Sequence, residues 1–174
     1  MQHRFAILCG LVAMCVASPS LGAKGDMLRI EIRGATVTGS VAITDPKIQN
    51  FHVWTGPGVN DVAVEDAEGF IANWKNGAVP DPAARVPRYE LSWYASCHQG
   101  SNCRSAQPSL VYVVVYARDP SSGHGFVYLP GRGERAYDLN VRSIYRGPDV
   151  EGHWFRTTES WDRFVDPLIA RSRR

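Results

Sequence analysis

The stretch LVYVVVYA at residues 110–117 decides the fold, because its apolar, largely β-branched and aromatic residues predict a buried strand at the centre of a sheet. The cluster DPSSG at 119–123 follows it and is typical of a turn. The segment FVYL at 126–129 then resumes a strand pattern. Together the three segments predict an antiparallel hairpin.

Segments on both sides of this hairpin predict further strands. RYELSWYA at 88–95 and MLRIEIR at 27–33 alternate between apolar and polar residues, which is typical of strands with one buried face. Residues 35–44 continue in strand-like residues after the second of these. Weaker strands are predicted at 136–141 and 143–145. The chain therefore carries several short strands separated by turns.

The C-terminal segment changes from the strand period to the helical period. Trp161, Val165 and Leu168 recur at helical spacing and predict a helix at about 158–170. Pro167 lies inside this pattern, where it removes a backbone hydrogen bond and favours a kink. The predicted fold is mainly β: an antiparallel β-sandwich or partly open barrel with one C-terminal α-helix.

The N-terminal 23 residues have the layout of a secretory signal peptide. Arg4 precedes an apolar run at 5–17, and small residues follow it. The run has about 13 residues, fewer than the roughly 20 that a membrane-spanning helix needs. We therefore predict a signal peptide at 1–23, a single domain at 24–174, and no stable membrane span after cleavage. The predicted location is the periplasm or the extracellular medium.

Removal of the signal peptide leaves two cysteines, Cys97 and Cys103. An even pair in an exported chain usually forms a disulfide, so we predict one that closes the short loop between them. A zinc site that uses these cysteines, His98 and a distant histidine is the alternative. The oxidising location and the lack of a Cys-x2-Cys pair favour the disulfide.

The charge balance and the glycine pattern exclude two classes of function. The chain has 19 Lys and Arg residues and 17 Asp and Glu residues, for a net charge of +2. It therefore lacks the basic bias that nucleic-acid binding requires. The glycines at 56–58 and 131–133 lack the remaining spacing of either phosphate-binding fingerprint and predict turns. We expect no nucleic-acid partner and no cofactor.

The aromatic residues suggest a binding surface. Trp54, Trp93, Tyr112 and Tyr116 combine an apolar face with a polar edge, which suits contacts with a sugar or a peptide. If one face of the predicted sheet is exposed, these rings form a candidate binding face. Packing of the same rings in the core is the alternative interpretation.

The histidines supply a competing hypothesis of catalysis. Asp45 lies close to His52 in the sequence, and a carboxylate can orient a histidine that acts as a general base. A turn-capping Asp45 beside a surface histidine is the simpler interpretation. His98, His124 and His153 lie near predicted loops or strand ends, but their spacing supports no metal site, and we expect no metal. A catalytic site would have to converge from distant loops.

Five segments carry a resemblance to known proteins: residues 43–59, 69–74, 87–95, 125–131 and 153–169. They resemble a group of small exported bacterial proteins without assigned function. The resemblance implies an exported bacterial domain and brings no catalytic residues with it.

The sequence as a whole favours a non-enzymatic binding or structural module of the bacterial cell envelope. Its expected partner is an envelope protein, a peptide or a polysaccharide. A small exported hydrolase with a convergent His/Asp site is the alternative, because such a site leaves no local motif.

Overall fold

In the part of the chain that the structure describes, the fold consists of a seven-stranded antiparallel sheet and two α-helices. The structure is a computed structural model that describes residues 26–51, 53, 54, 56, 71–96 and 107–172. The strands are β1 (Met27–Arg33), β2 (Ser40–Ile43), β3 (Ala78–Val79), β4 (Arg88–Ala95), β5 (Ser109–Arg118), β6 (Gly125–Tyr128) and β7 (Trp154–Arg156). The helices are α1 (Tyr137–Ser143) and α2 (Glu159–Arg171).

The strands follow the order β2-β1-β4-β5-β6-β7-β3, with antiparallel pairing between neighbours. The predicted antiparallel β architecture and the hairpin of β5 and β6 are confirmed. The sheet stays open rather than closing into a barrel, and the described part of the chain contains no second sheet, so the sandwich is not confirmed. Alternation in a strand shows which residues share a face, but not whether a sheet or a helix covers that face.

The inner face of the sheet, which we define as the side packed against α2, carries the main core. The alternation predicted for β4 places its apolar residues on this face, and β5 contributes the residues paired with them. Burial of large apolar side chains is the main stabilising contribution here. The buried residues of the inner face include Ile30, Ile32, Tyr89, Leu91, Trp93, Tyr112, Val114, Tyr116 and Val127.

Helix α2 covers this core, and its bounds lie within a residue of those that the sequence predicts. Thr158 caps its start, since Trp161 N donates a hydrogen bond to the Thr158 Oγ1 at 3.3 Å. Trp161 is fully buried, with its ring centroid 5.2 Å from that of Phe51 and 6.0 Å from that of Trp93. Pro167 lies inside the helix, which continues past it.

Weak strands were predicted at 136–141 and 143–145, and both predictions are wrong: helix α1 occupies most of the first segment and ends at Ser143, and residues 144 and 145 belong to no strand. Asn140 explains why a helix is favoured here. Its Oδ1 accepts from Val113 N at 2.8 Å and its Nδ2 donates to Val113 O at 2.7 Å, on the part of β5 that β6 does not pair with. The side chain thus replaces a missing strand, which satisfies backbone groups that would otherwise be buried unpaired.

Two predictions concern residues beyond those that the structure describes. The signal peptide at 1–23 is one, and the disulfide between Cys97 and Cys103 is the other. Among the described helices, neither is long and apolar enough to cross a membrane.

Candidate functional site

The four rings of the predicted binding face do not form an exposed surface. Trp93, Tyr112 and Tyr116 have exposed fractions of 0, 1 and 0%, and Trp54 is half-buried against the core. The polar ends of Trp93, Tyr112 and Tyr116 find partners inside the fold: Trp93 Nε1, for example, donates to Phe51 O at 3.2 Å. The core alternative therefore describes these rings, because α2 covers the face on which three of them lie.

A second apolar cluster lies on the outer face of the sheet, which we define as the side opposite α2. Its buried members are Val86, Ala117 and Trp154. The other half of the outer face, on β1 and β4, carries charged side chains such as Glu31, which forms ion pairs with two arginines of β1. The outer face is thus apolar and aromatic at β5, β6 and β7 and charged at β1 and β4.

A groove of about 550 Å³ opens over the aromatic half of the outer face. We call it the outer groove. The loop before β4 contributes Asp81 to the groove, and the turn after β6 contributes Glu134. Its lining residues are Asp81, Arg88, Val115, Tyr128, Glu134, Gly152 and Trp154.

Two rings, tilted by 34° to each other, and a guanidinium form the floor of the outer groove. The ring centroids of Tyr128 and Trp154 are 5.1 Å apart, and the Arg88 guanidinium lies 5.1 Å from the Trp154 centroid. Arg88 Nη2 also contacts Asp81 Oδ1 at 2.5 Å and donates to Pro82 O at 3.1 Å. These contacts fix Arg88 over the indole and neutralise its charge.

Glu134 is held in one orientation at the rim of the groove. Its Oε1 accepts from the Tyr128 hydroxyl and its Oε2 from Gly131 N, both at 2.8 Å. Burial raises the pKa of Tyr128 to about 12, and the hydrogen bond and charge of Glu134 act in the same direction. A Cβ at Gly131 would lie 2.9 Å from the Cα of Gly152, so the close approach of these two loops requires glycine.

A second cleft, of about 340 Å³, lies between the end of the β5–β6 hairpin and α2. We call it the α2 cleft. The Tyr116 hydroxyl lies beneath it, 3.1 Å from Asp162 Oδ1 and 3.2 Å from Asp166 Oδ1. Arg118 pairs with both carboxylates, at 3.4 Å to Asp162 and 2.6 Å to Asp166. His124 also lines the cleft.

Asp162 accepts hydrogen bonds from four donors. Thr157 Oγ1 donates to it at 2.7 Å, Gly125 N and the Tyr116 hydroxyl at 3.1 Å, and Arg118 Nη1 at 3.4 Å. Burial raises the pKa of Asp162, whereas these hydroxyl donors and the Arg118 guanidinium act in the opposite direction. The carboxylate ties α2 to the hairpin, because each of its donors belongs to the sheet or to the segment before the helix.

The structure brings only part of the predicted His/Asp set together. His124 shares the α2 cleft with Asp162 and Asp166. Asp45 instead caps the 3-10 helix Pro46–Asn50 by accepting from Lys47 N at 2.8 Å, as its simpler interpretation predicts. His153 is exposed, with its Nδ1 3.2 Å from Glu151 O. His52 and His98 lie outside the described residues.

Two buried ionisable residues, Arg146 and Glu151, were not predicted from the sequence; their exposed fractions are 7 and 6%. Arg146 lies 5.4 Å from the Trp74 centroid and donates to the Tyr112 hydroxyl at 2.5 Å. Neither carboxylate oxygen of Glu151 has a hydrogen-bond partner within the described ranges. Burial raises the pKa of Glu151, and the charge of Arg146 only partly opposes this.

The groove residues were missed because they come from four separate segments. The signal available was the alternation itself, since Tyr128 and Arg88 occupy the strand positions opposite the core-facing ones.

Across the residues that the structure describes, no group of three or more His, Cys, Asp or Glu side chains could hold a metal ion. Comparisons with protein-family models, with curated proteins and with solved structures gave no match. The resemblance to exported bacterial proteins therefore stays a prediction.

Proposed function

We propose that this protein is a non-enzymatic binding module of the bacterial cell envelope, and that its ligand occupies the outer groove. The observation that carries the proposal is a groove with an aromatic and aliphatic floor and a fixed carboxylate at its rim. The proposed location is the periplasm or the extracellular medium, and the proposed partner is an envelope protein, a peptide or a polysaccharide.

The volume of the groove and the fixed orientation of its polar side chains support this function. A volume of about 550 Å³ lies within the roughly 300–1,000 Å³ typical of ligand pockets. Its polar side chains are already held: Glu134 by two donors and Arg88 by Asp81 and Pro82. Binding would therefore cost little side-chain ordering.

The lining chemistry favours binding over catalysis. The described lining residues include no serine, cysteine or histidine, and the carboxylates of Asp81 and Glu134 are held by Arg88 and by two neutral donors, respectively. Arg88 is fixed by its ion pair with Asp81, and Glu134 is fixed by the hydrogen bond from Gly131 N. An aromatic surface with fixed polar groups is typical of a recognition site.

A substitution that fills the groove tests the proposal. Val115→Trp places a large ring in the lining, whereas Val111→Trp makes the same change on the same strand outside it. Each variant, checked for folding by circular dichroism, is used to capture partners from envelope extract. We expect Val115→Trp to lose the specifically captured partner and Val111→Trp to retain it. Equal capture by both variants would contradict binding in the groove.

A hydrolase remains the second candidate because His124, Asp162 and Asp166 line one cleft. A histidine or a partly exposed carboxylate there is a candidate general base for an attacking water. Asp166 suits this role better than Asp162, whose oxygens are occupied by several donors. Turnover of fluorogenic ester or glycoside substrates that is lost in His124→Ala and Asp166→Asn would support the hydrolase and overturn the binding-only function.

A further inference from the structure

We propose that the outer groove binds a lysine or arginine side chain of a peptide or protein partner, with its cationic group directed to Glu134. The proposal rests on the function proposed above and adds the chemical class of the ligand. Neither the fold nor the comparisons assign such a ligand.

The charges around the groove favour a cation. Arg88 is the basic residue of the lining, and Asp81 neutralises it at 2.5 Å. Glu134 has no ion-pair partner among the described residues, and each of its oxygens receives one neutral donor. The rim thus carries one oriented carboxylate whose charge is not compensated by a neighbouring side chain, and a ligand cation would compensate it.

The two carboxylates of the lining act on the Tyr128 hydroxyl with the same sign. The charges of Glu134 and of Asp81 both raise the pKa of Tyr128, after the larger effect of burial. A negative potential at the Tyr128 hydroxyl repels phenolate and attracts a cation for the same reason. This supports a cationic ligand group at Glu134, which the geometry of its carboxylate already favours.

The floor suits an aliphatic stem better than a sugar ring. Trp154 is only 7% exposed, and Arg88 and Tyr128 already lie against its ring. A sugar needs a free aromatic face on which to stack, whereas the methylene stem of lysine or arginine needs only apolar surface such as Val115. A cationic side chain can therefore use both the floor and the rim.

The experiment compares three pentapeptides, acetyl-Ala-Ala-Xaa-Ala-Ala-amide, with lysine, norleucine or glutamate at the centre, and the disaccharide N,N′-diacetylchitobiose. Each is titrated into ¹⁵N-labelled protein, with the Gly131 and Gly152 amides and the Trp154 indole as reporters of the groove. We expect the lysine peptide to shift these signals and to bind about two- to fivefold more tightly than the norleucine peptide at low salt. The preference should shrink as salt is added.

Variants then assign the preference to Glu134. In Glu134→Gln the ratio of lysine to norleucine affinity should fall towards one, because the charge is removed and the side-chain shape is kept. Glu159→Gln, an exposed glutamate of α2 outside the groove, should leave the ratio unchanged. An unchanged ratio in Glu134→Gln would overturn the assignment. If that variant does not fold, the salt dependence of the wild-type preference decides the same question.

The remaining outcomes separate this inference from the proposed function. Equal binding of the lysine and norleucine peptides in the groove, or tighter binding of glutamate or of the disaccharide, overturns the cationic ligand but leaves the groove as a binding site. Groove signals that move with none of the four probes contradict both proposals.

Discussion

Replacement of Asn140 by alanine should destabilise the protein more than its size suggests. Asn140 is fully buried and bonds both backbone groups of Val113, at 2.8 and 2.7 Å. Alanine would leave the Val113 N–H and C=O without partners on an edge of β5. An unsatisfied buried polar group costs about 1–3 kcal/mol, so two give a loss of about 2–6 kcal/mol in the free energy of unfolding.

Asn140→Asp isolates one of the two bonds. The carboxylate still accepts from Val113 N but faces Val113 O without a proton to donate. Because protonation restores the donor, burial should raise the pKa of this new aspartate and favour its neutral form. The variant should therefore lose stability as pH rises through its folded pKa and recover part of the loss on acidification.

Equilibrium urea unfolding measures both variants, and hydrogen exchange of the Val113 amide reports the bond directly. Asn76→Ala, at an exposed position in the 3-10 helix Trp74–Asn76, is the control and should change the unfolding free energy by less than about 0.5 kcal/mol. A loss in Asn140→Ala no larger than in this control, with unchanged exchange at Val113, would refute the reasoning.

Three further predictions follow from the packing. Glu151→Gln should remove a decline in the free energy of unfolding that the wild type shows as pH rises above the ordinary glutamate range. The decline arises because the raised pKa keeps Glu151 protonated in the folded state at pH values where the unfolded chain has lost the proton. Urea melts over a pH series in which both proteins behave alike would contradict this. Trp161→Ala should lower the unfolding free energy by about 3–5 kcal/mol in a denaturant melt, and a loss under 1 kcal/mol would show that α2 does not seal the core. Gly125→Ala should destabilise strongly in a thermal melt, since its Cβ would lie 2.2 Å from Asp162 Oδ1, and an unchanged melting temperature would contradict the close approach.

The sequence predicted those parts of the fold that depend on local periodicity. The alternation in β4 and the apolar run in β5 gave the central strands, and the helical spacing around Trp161 gave α2. Helix α1 was missed because it has only seven residues, too few for a clear period, and because Asn140 acts on a strand 27 residues away.

The candidate site was predicted less well than the fold for a related reason. Alternation grouped Tyr112 with Tyr116 correctly but could not show that α2 would cover their face. Tyr128 and Glu134 meet through the turn after β6, and Arg88 reaches Trp154 from another strand. The first contact depends on the conformation of a turn and the second on the order of strands in the sheet, and alternation encodes neither.

Photo-crosslinking in living cells tests the claim that the outer groove holds the ligand. Benzoylphenylalanine replaces Arg132, an exposed residue in the turn that carries Glu134. The control places it at Arg142, exposed on α1 and outside the lining of the groove. We predict a discrete adduct from position 132 that disappears in Val115→Trp and does not form from position 142. Adducts of equal yield from both positions, or an adduct from 132 that persists when the groove is filled, would contradict the account.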